Sequence, residues 1–296
     1  MFPAVLTTFF WATSVSCAHR SAKIFGSGAM ANVARLGLGL LLLALWAHSF
    51  GKGFSGSGLC WFLWSGFVGF GLGDVGLYEA LPRLGSRLTL LLVQCSTALF
   101  GALIEWLWLG TTLSGMQIGS ALVILVGVGI ALAPQDHAHR ERRDMIWGIA
   151  LATLAAIGQA AGAVLSRKGY VVMQASGETI DGATAAYQRI FGGIGVAVLF
   201  FLWMCWRGDK MTTPVPWRKA SRWVVINALS GPVIGVACFQ WALSAAPSGV
   251  VLAIVATQPI AVIPLSYFLE GDKPSARSLI GGSVAVAGVV ALMLAR

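Results

Sequence analysis

Two stretches of the chain, LWLGTTLSGMQIGSALVILVG at residues 107–127 and FLEGDKPSARSLIGGSVAVAG at residues 268–288, indicate an internal repeat. At a constant offset of 161, two glycines and a serine recur: Gly110, Ser114 and Gly127 match Gly271, Ser275 and Gly288. Upstream, Gly73 matches Gly235 and Arg35 matches Arg189, with loops of different length shifting the register. We therefore predict two copies of one unit, at residues 1–134 and 145–296.

The composition predicts an integral membrane protein. The 296 residues are 57% hydrophobic and only 10% charged, whereas a soluble domain carries about 25% charged residues. A bilayer core about 30 Å thick is crossed by roughly 20 apolar residues of helix. Ten such runs lie at about residues 3–19, 33–50, 58–80, 87–109, 116–133, 145–166, 184–206, 222–244, 249–269 and 276–295. We predict an all-α membrane fold with ten transmembrane helices.

Five spans in each unit have a geometric consequence. Because five is odd, the second unit must enter the membrane from the side opposite to the first, so the two repeats are expected to be inverted. Inverted repeats with a site near the midplane are typical of secondary transporters. We therefore expect a small-molecule substrate in a cavity walled mainly by the first, third, fourth, sixth, eighth and ninth spans.

The order of short motifs supports a family resemblance. The first span contains FFWATS (9–14), and the second and seventh contain NVARLGLG (32–39) and YQRIFGGI (187–194). Each unit then closes with the glycine-spaced stretch quoted above. Over essentially the whole chain, this pattern resembles the drug/metabolite transporter superfamily, EamA type. The resemblance implies a multi-pass exporter of a small metabolite, such as an amino acid or related compound, in the cytoplasmic (inner) membrane.

The orientation of the chain is left open by two conflicting signals. Most of the 20 Lys and Arg residues fall in the odd-numbered loops, and the positive-inside rule then puts both termini outside. The family resemblance implies that both termini are cytoplasmic.

The third span combines a glycine pattern with a carboxylate. Gly66, Gly69, Gly73 and Gly76 share one helical face and predict a seam for close helix packing. Asp74 lies deep in the same span, where an ionised carboxylate costs about 2.5–3.5 kcal/mol unless it faces water or a partner. We expect Asp74 to face the cavity and bind a proton or cation; a structural hydrogen-bonding role is the alternative.

Other polar, aromatic and helix-bending residues form the remaining site candidates. Arg35 and Arg189 must reach a carboxylate, carbonyls, headgroups or an anionic substrate, because arginine stays charged. Glu79 lies four residues before Arg83 and is expected to form an ion pair with it at the cavity mouth, as a gate. Further cavity candidates are Gln94, Gln159, Gln240, Gln258, Trp11, Tyr78 and Trp241, and the hinge candidates are Gly73, Gly231, Pro232, Gly235 and Pro259.

Several side chains are expected to be structural. Glu105, beside Trp106 and Trp108, is expected to snorkel to the interface. The five cysteines lie in apolar runs without ligand spacing, which predicts buried thiols. In loop 135–144, His137 and His139 stand among basic residues, so a solvated linker is expected and no metal site.

Other classes of function have weaker support. No loop has the basic and aromatic pattern of a nucleic-acid site, and no phosphate-binding loop or other cofactor motif is present. Transport without enzymatic activity is the expectation. The alternatives are a membrane-embedded enzyme acting on lipid-linked or amphipathic substrates, for which no histidine-based constellation can be assembled, and a passive channel or structural membrane subunit. The sequence does not predict an oligomeric state or the coupling ion.

Overall fold

The fold was analysed in a computed structural model that describes residues 1–84, 86–132, 142–208, 217–270 and 275–294. Within these ranges all regular structure is helical. The helices of the first half are α1 (Phe2–Phe25), α2 (Gly28–Ser49), α3 (residues 59–84), α4 (Ser86–Leu109) and α5 (Gly115–Leu132). Those of the second half are α6 (Arg142–Ala175), α7 (Gly182–Trp206), α8 (residues 217–245), α9 (Ser248–Val255 and Gln258–Glu270, joined by a turn at residues 256–257) and α10 (Ala276–Leu294).

The described helices form a multi-pass membrane protein. Seven of them are long and apolar enough to cross a bilayer, and they lie at Gly28–Ser49, Leu59–Leu77, Leu92–Leu109, Arg142–Ala175, Gly182–Trp206, Trp217–Ala245 and Ser248–Leu265. Shorter apolar helices lie at Gly115–Ala131 and Leu279–Leu294. The prediction of an all-helical membrane fold is confirmed for the described residues, and the count of ten spans stays a prediction.

Local capping residues explain where helices begin and end. Gly26 adopts a left-handed conformation with φ of 69° and ends α1, since glycine takes positive φ without steric cost. The Ser27 side chain then accepts a hydrogen bond from the Met30 amide and starts α2. Asp181 starts α7, where its carboxylate accepts from the Thr184 amide at 2.9 Å.

Helices α3 and α8 contain matching π-helical segments. The segment in α3 covers Phe67–Gly73, and the segment in α8 covers Leu229–Gly235. Both bounds differ by 162 residues, which is the offset at which the sequence aligns Gly73 with Gly235. Short π-helical segments are frequent at functional sites because they interrupt the regular backbone ladder. Each half therefore has a π-helical segment at the matching position.

Helices α5 and α10 pack directly against each other and run antiparallel. A Cβ atom on Gly288 would lie 2.8 Å from Ile124 Cγ1, whereas a Cβ atom on Gly281 would lie 2.9 Å from Ala131 Cα. Along the contact, residue numbers therefore rise on α5 in the direction in which they fall on α10. Glycines at these crossings let the two backbones approach closely.

The predicted glycine seam is confirmed where α3 crosses α6. A Cβ on Gly162 would lie 3.0 Å from the Cα of Gly69, and a Cβ on Gly158 would lie 2.9 Å from the Cα of Gly73. The two pairs of glycines leave no room for larger side chains at this crossing. Helix α3 is therefore fixed against a helix of the other half, and this contact sets the orientation of Asp74.

Candidate functional site

A central cavity of about 150 Å³ lies between the two halves of the chain. All six of the helices expected to form its walls, α1, α3, α4, α6, α8 and α9, contribute residues to it. Helices α2 and α7 add one arginine each, Arg35 and Arg189. This volume is many times the roughly 10–15 Å³ that a cavity needs to hold one water, so the cavity has room for several waters or a small organic molecule.

Asp74 lines this cavity and forms an ion pair with Arg35. The distance between Asp74 Oδ2 and Arg35 Nη2 is 3.3 Å. Arg35 also donates from Nε to Asn32 Oδ1 at 2.8 Å, one turn earlier on α2. The acidic group is therefore paired with a cation inside the wall, so its burial is compensated.

Arg189 occupies the cavity wall without such a partner. Its side chain belongs to a residue with only 5% exposure, and its guanidinium carbon lies 5.0 Å from the ring centre of Phe70 and 5.3 Å from that of Phe239. Cation–π contacts of this kind stabilise the positive charge through the faces of the planar guanidinium group. The Nε and Nη1 atoms are buried and have no hydrogen-bond partner.

The two arginines are related by the internal repeat. A Cβ on Gly69 would lie 2.7 Å from Arg189 Nη2, and a Cβ on the matching Gly231 would lie 3.4 Å from Arg35 Nη1. Each arginine thus reaches across to the π-helical segment of the opposite half, where a glycine leaves space for it. The sequence alignment paired the two arginines but did not indicate this crossed contact.

Three of the predicted glutamines line the cavity, and two of them bridge its walls. Gln94 donates to Gln258 Oε1 at 2.6 Å, and Gln258 donates to the carbonyl oxygen of Trp11 at 3.2 Å. These bonds connect α4, α9 and α1. Gln159 and the Trp11 ring also line the cavity.

The other residues predicted to line the cavity either lie away from it or fall outside the described residues. Gln240 is buried away from the cavity and donates to Ser166 Oγ at 3.0 Å. Trp241 is 53% exposed on the outside of the bundle, so its ring does not wall the cavity. The side chain of Tyr78 lies outside the described residues.

One end of the cavity is closed by packed side chains, which we call the Phe62 end. Phe62 packs edge-on against Tyr170 with ring centres 5.0 Å apart. Ser65 and Ser166 share a hydrogen bond of 2.8 Å, and Gln240 joins them through Ser166. These residues lie beyond the cavity-lining parts of α3, α6 and α8, toward the start of α3. The Phe62 end is therefore sealed in this conformation.

A buried acid holds the Phe62 end together and corrects a sequence prediction. Glu105 is 2% exposed, so the expectation that it snorkels to the interface is wrong. Its Oε2 accepts from the amide and the hydroxyl of Ser248, at the start of α9, where free amides favour a negative charge. Arg167 lies 3.7 Å from Glu105 and donates to the Leu243 carbonyl oxygen at 2.9 Å.

At the opposite end of α3, Glu79 and Arg83 form an ion pair of 2.9 Å. We call this the Arg83 end. Both side chains remain about one third exposed, so the pair is accessible to solvent or headgroups. It lies two residues beyond Leu77, which lines the cavity.

The hinge candidates have three different environments. Gly231 and Pro232 line the cavity within the π-helical segment of α8. Gly73 and Gly235 end the two π-helical segments, and neither lines the cavity. A Cβ added to Gly73 would meet Gln159 of α6, and one added to Gly235 would meet the Trp11 ring. Pro259 is the second residue of the Gln258–Glu270 segment of α9, a position where its missing amide costs little.

Two remaining sequence predictions concern residues outside the cavity. The prediction of five buried thiols holds for Cys17 alone. Cys95 and Cys238 are partly exposed, and Cys60 and Cys205 are exposed because they face outward on membrane-length helices. His137 and His139 of the loop between the halves lie outside the described residues.

Helices of membrane length that surround a cavity with buried charges and amides are the arrangement expected of a membrane transport protein. A model of the EamA-like transporter family matches residues 1–133 and again residues 146–294. The chain belongs to this family, and the resemblance to the EamA type of the drug/metabolite transporter superfamily is confirmed.

Comparison with solved structures finds a similar fold. A solved structure titled "Crystal structure of protein" is similar to this chain with a TM-score of 0.72 and 17% sequence identity. The match covers 99% of this chain and 94% of the other chain. No curated protein matches this sequence.

Proposed function

We propose that the protein is a secondary transporter that moves a small metabolite by alternating access, and that it exports this metabolite across the cytoplasmic membrane. The observation that carries the proposal is the central cavity walled by helices of both halves, with an arginine from each half beside it. Secondary transporters bind their substrates at such an interface between repeats.

The proposed architecture is ten spans in two inverted five-helix repeats, at residues 1–134 and 145–296. The antiparallel packing of α5 against α10 supports it. So do the π-helical segments, which occupy matching positions in α3 and α8. In an inverted pair of bundles, each bundle can adopt the conformation of the other. This exchange moves the opening of the cavity from one side of the membrane to the other.

The proposed transport cycle opens the Phe62 end and closes the Arg83 end. In the present conformation Phe62 and Tyr170 seal one end, while Glu105 and Arg167 hold it. Opening requires α3 and α8 to bend, and the π-helical segments are suited to this because their backbone bonding is irregular. Glu79 and Arg83 are the proposed gate at the other end.

Proton coupling is proposed to act through Asp74. Its pairing with Arg35 keeps the carboxylate in the cavity wall, where burial makes the ionised form costly whenever the pair separates. A proton can then bind Asp74 in one conformation and leave in the other. The coupled cycle and exchange of substrate for substrate are both compatible with this arrangement.

Counterflow in proteoliposomes tests the proposed function. Purified protein is reconstituted with a high internal concentration of unlabelled substrate, and uptake of external labelled substrate is followed. A transporter gives transient accumulation of label above equilibrium, because each return step carries a substrate molecule. A channel gives only equilibration, which would overturn alternating access. Mass spectrometry of the recovered label detects chemical conversion, which would instead favour the membrane-embedded enzyme.

A further inference from the structure

Building on the proposed transport function, we infer that the substrate is a small organic monoanion whose carboxylate binds Arg189. The carboxylate is assigned to the Nε and Nη1 atoms of Arg189, which have no hydrogen-bond partner. The net charge of the cavity-lining residues and the apolar side chains around Arg189 support the same class of substrate.

The surroundings of Arg189 favour an anion as its ligand. The residue is 5% exposed and lines the cavity, yet Nε and Nη1 have no hydrogen-bond partner. Buried charged donors are normally paired, because leaving them unpaired forfeits their interaction with water. Phe70 and Phe239 cover the faces of the guanidinium, so a new partner must approach its edge. A planar carboxylate is the group that fits a guanidinium edge best.

The internal repeat explains why Arg189 has no ion-pair partner of its own, although the Asp74 carboxylate is close enough to attract both arginines. Arg35 and Arg189 occupy matching positions, and Arg35 has Asp74 as its partner. The position matching Asp74 in the second half, at the offset of 162, is Val236, which also lines the cavity. Among the described lining residues the charged groups are two arginines and one aspartate. A bound monoanion would bring the charge of this set to zero.

The rest of the cavity indicates the body of the substrate. Leu90, Val93, Leu252 and Val255 form apolar walls, and Gln94 offers one amide for a polar substituent. A cavity of about 150 Å³ suits a small organic body rather than a large one.

The same charges disfavour cationic and zwitterionic substrates. An ammonium group in the cavity would need Asp74, which Arg35 already binds. It would also be repelled by both guanidinium groups, at short range and away from bulk water. The carboxylate alone is therefore expected to bind more tightly than the amino acid with the same carbon skeleton.

Thermal unfolding of the purified full chain in a non-ionic detergent and chloride-free buffer tests this assignment. The probes are hexanoate, hexanamide, hexylamine and 2-aminohexanoate, which share one skeleton, and a matched set built on 3-phenylpropanoate. Carboxylates are expected to raise Tm at concentrations at least about tenfold lower than the other members, as expected for loss of a charged hydrogen-bonded contact. Equal shifts from the amide or the amine would overturn the assignment.

Variants show which residue is responsible for the rise in Tm with carboxylates. Arg189→Gln is expected to abolish the carboxylate shift, and Val236→Asp is expected to do the same by supplying an internal partner. Arg207→Gln, an exposed arginine at the end of the same helix, is the matched control and should keep the shift. If chloride or phosphate alone raised Tm as much as the carboxylates, the site would be a structural anion site and the inference would be wrong.

Counterflow with the same probes separates this inference from the proposed function. Carboxylate binding without counterflow would leave the assignment intact and contradict transport. Counterflow of amines or zwitterions, without any effect of carboxylates, would support transport and overturn the assignment.

Discussion

Arg35 and Asp74 form an ion pair in the wall of the central cavity, with 3.3 Å between Nη2 and Oδ2. Both side chains are largely shielded from solvent, so the pair depends on both groups being charged. Protonation of Asp74 would leave Arg35 unpaired, and the pair therefore connects proton binding to the conformation of the cavity.

Replacement of Asp74 by Asn should remove proton coupling. The amide keeps the shape of the side chain but has no titratable proton. Net substrate flux driven by a pH gradient should fall to the level without a gradient, whereas counterflow should persist because exchange needs no proton release. Both rates are measured in proteoliposomes. Undiminished pH-driven flux would show that Asp74 has only a structural role.

The exposed ion pair on the same helix provides the comparison. Glu79→Gln should reduce flux less than Asp74→Asn does, because the partly exposed pair with Arg83 is worth at most about 1 kcal/mol. Arg83→Gln should reproduce its effect, since both variants break the same pair. Different pH dependences for these two variants would contradict a shared role.

Loss of the Glu105–Arg167 contact should favour opening at the Phe62 end. Arg167→Gln removes the cation near Glu105 and a donor to the Leu243 carbonyl, so the sealed conformation loses contacts between the halves. A cysteine placed at Ser65 in a cysteine-free background should react faster with a membrane-impermeant maleimide in this variant. Lys219→Gln, which changes an exposed side chain near the start of α8 and away from the Phe62 end, is the control. Unchanged labelling would argue against the seal.

Enlarging a residue of the glycine seam should destabilise the fold. Gly158→Leu would drive a side chain into the backbone of α3, where a Cβ already lies 2.9 Å from the Cα of Gly73. We expect a loss of roughly 1–3 kcal/mol or more from overpacking, seen as a lower Tm in detergent. Gly119→Leu, at an exposed position with open space around it, should have little effect. Similar Tm values for the two variants would contradict the close crossing.

The cap of α7 should give a pH-dependent contribution to stability. Burial alone raises the pKa of Asp181, but hydrogen bonds from Thr184, Trp46 and Ala183 outweigh it and lower the pKa below 3.8. A lowered pKa stabilises the fold above the unfolded-state value, and this stabilisation is lost as the pH falls through the folded-state value.

Replacement of Asp181 by Ala measures this contribution. The variant should lose about 0.5–2 kcal/mol at neutral pH, the range for removing a helix cap. The difference in Tm between wild type and variant should shrink as the pH falls below 3.8 and through the lowered pKa of Asp181, because the wild-type carboxylate then becomes protonated. A difference independent of pH would mean that the charge of Asp181 does not stabilise the helix.

The sequence by itself determined the class of the protein and much of its helical architecture. Long apolar runs can be stable only in a bilayer, and two copies of one pattern must fold into two copies of one structure. The glycine spacing in α3 predicted the close crossing with another helix, since residues three and four apart share a face. Asp74, Arg35 and Arg189 stood out because charges in lipid are costly.

The tertiary structure alone decided which of these residues meet. Helical periodicity assigns side chains to faces, but the rotation of each helix and its register against its neighbours depend on packing of the whole bundle. Gln240 and Trp241 therefore point away from the cavity although their sequence context resembles that of Gln94. Glu105 is buried because the start of α9 packs beside it. The same packing brings Arg189 of one half to Gly69 of the other, where its Nε and Nη1 atoms have no hydrogen-bond partner.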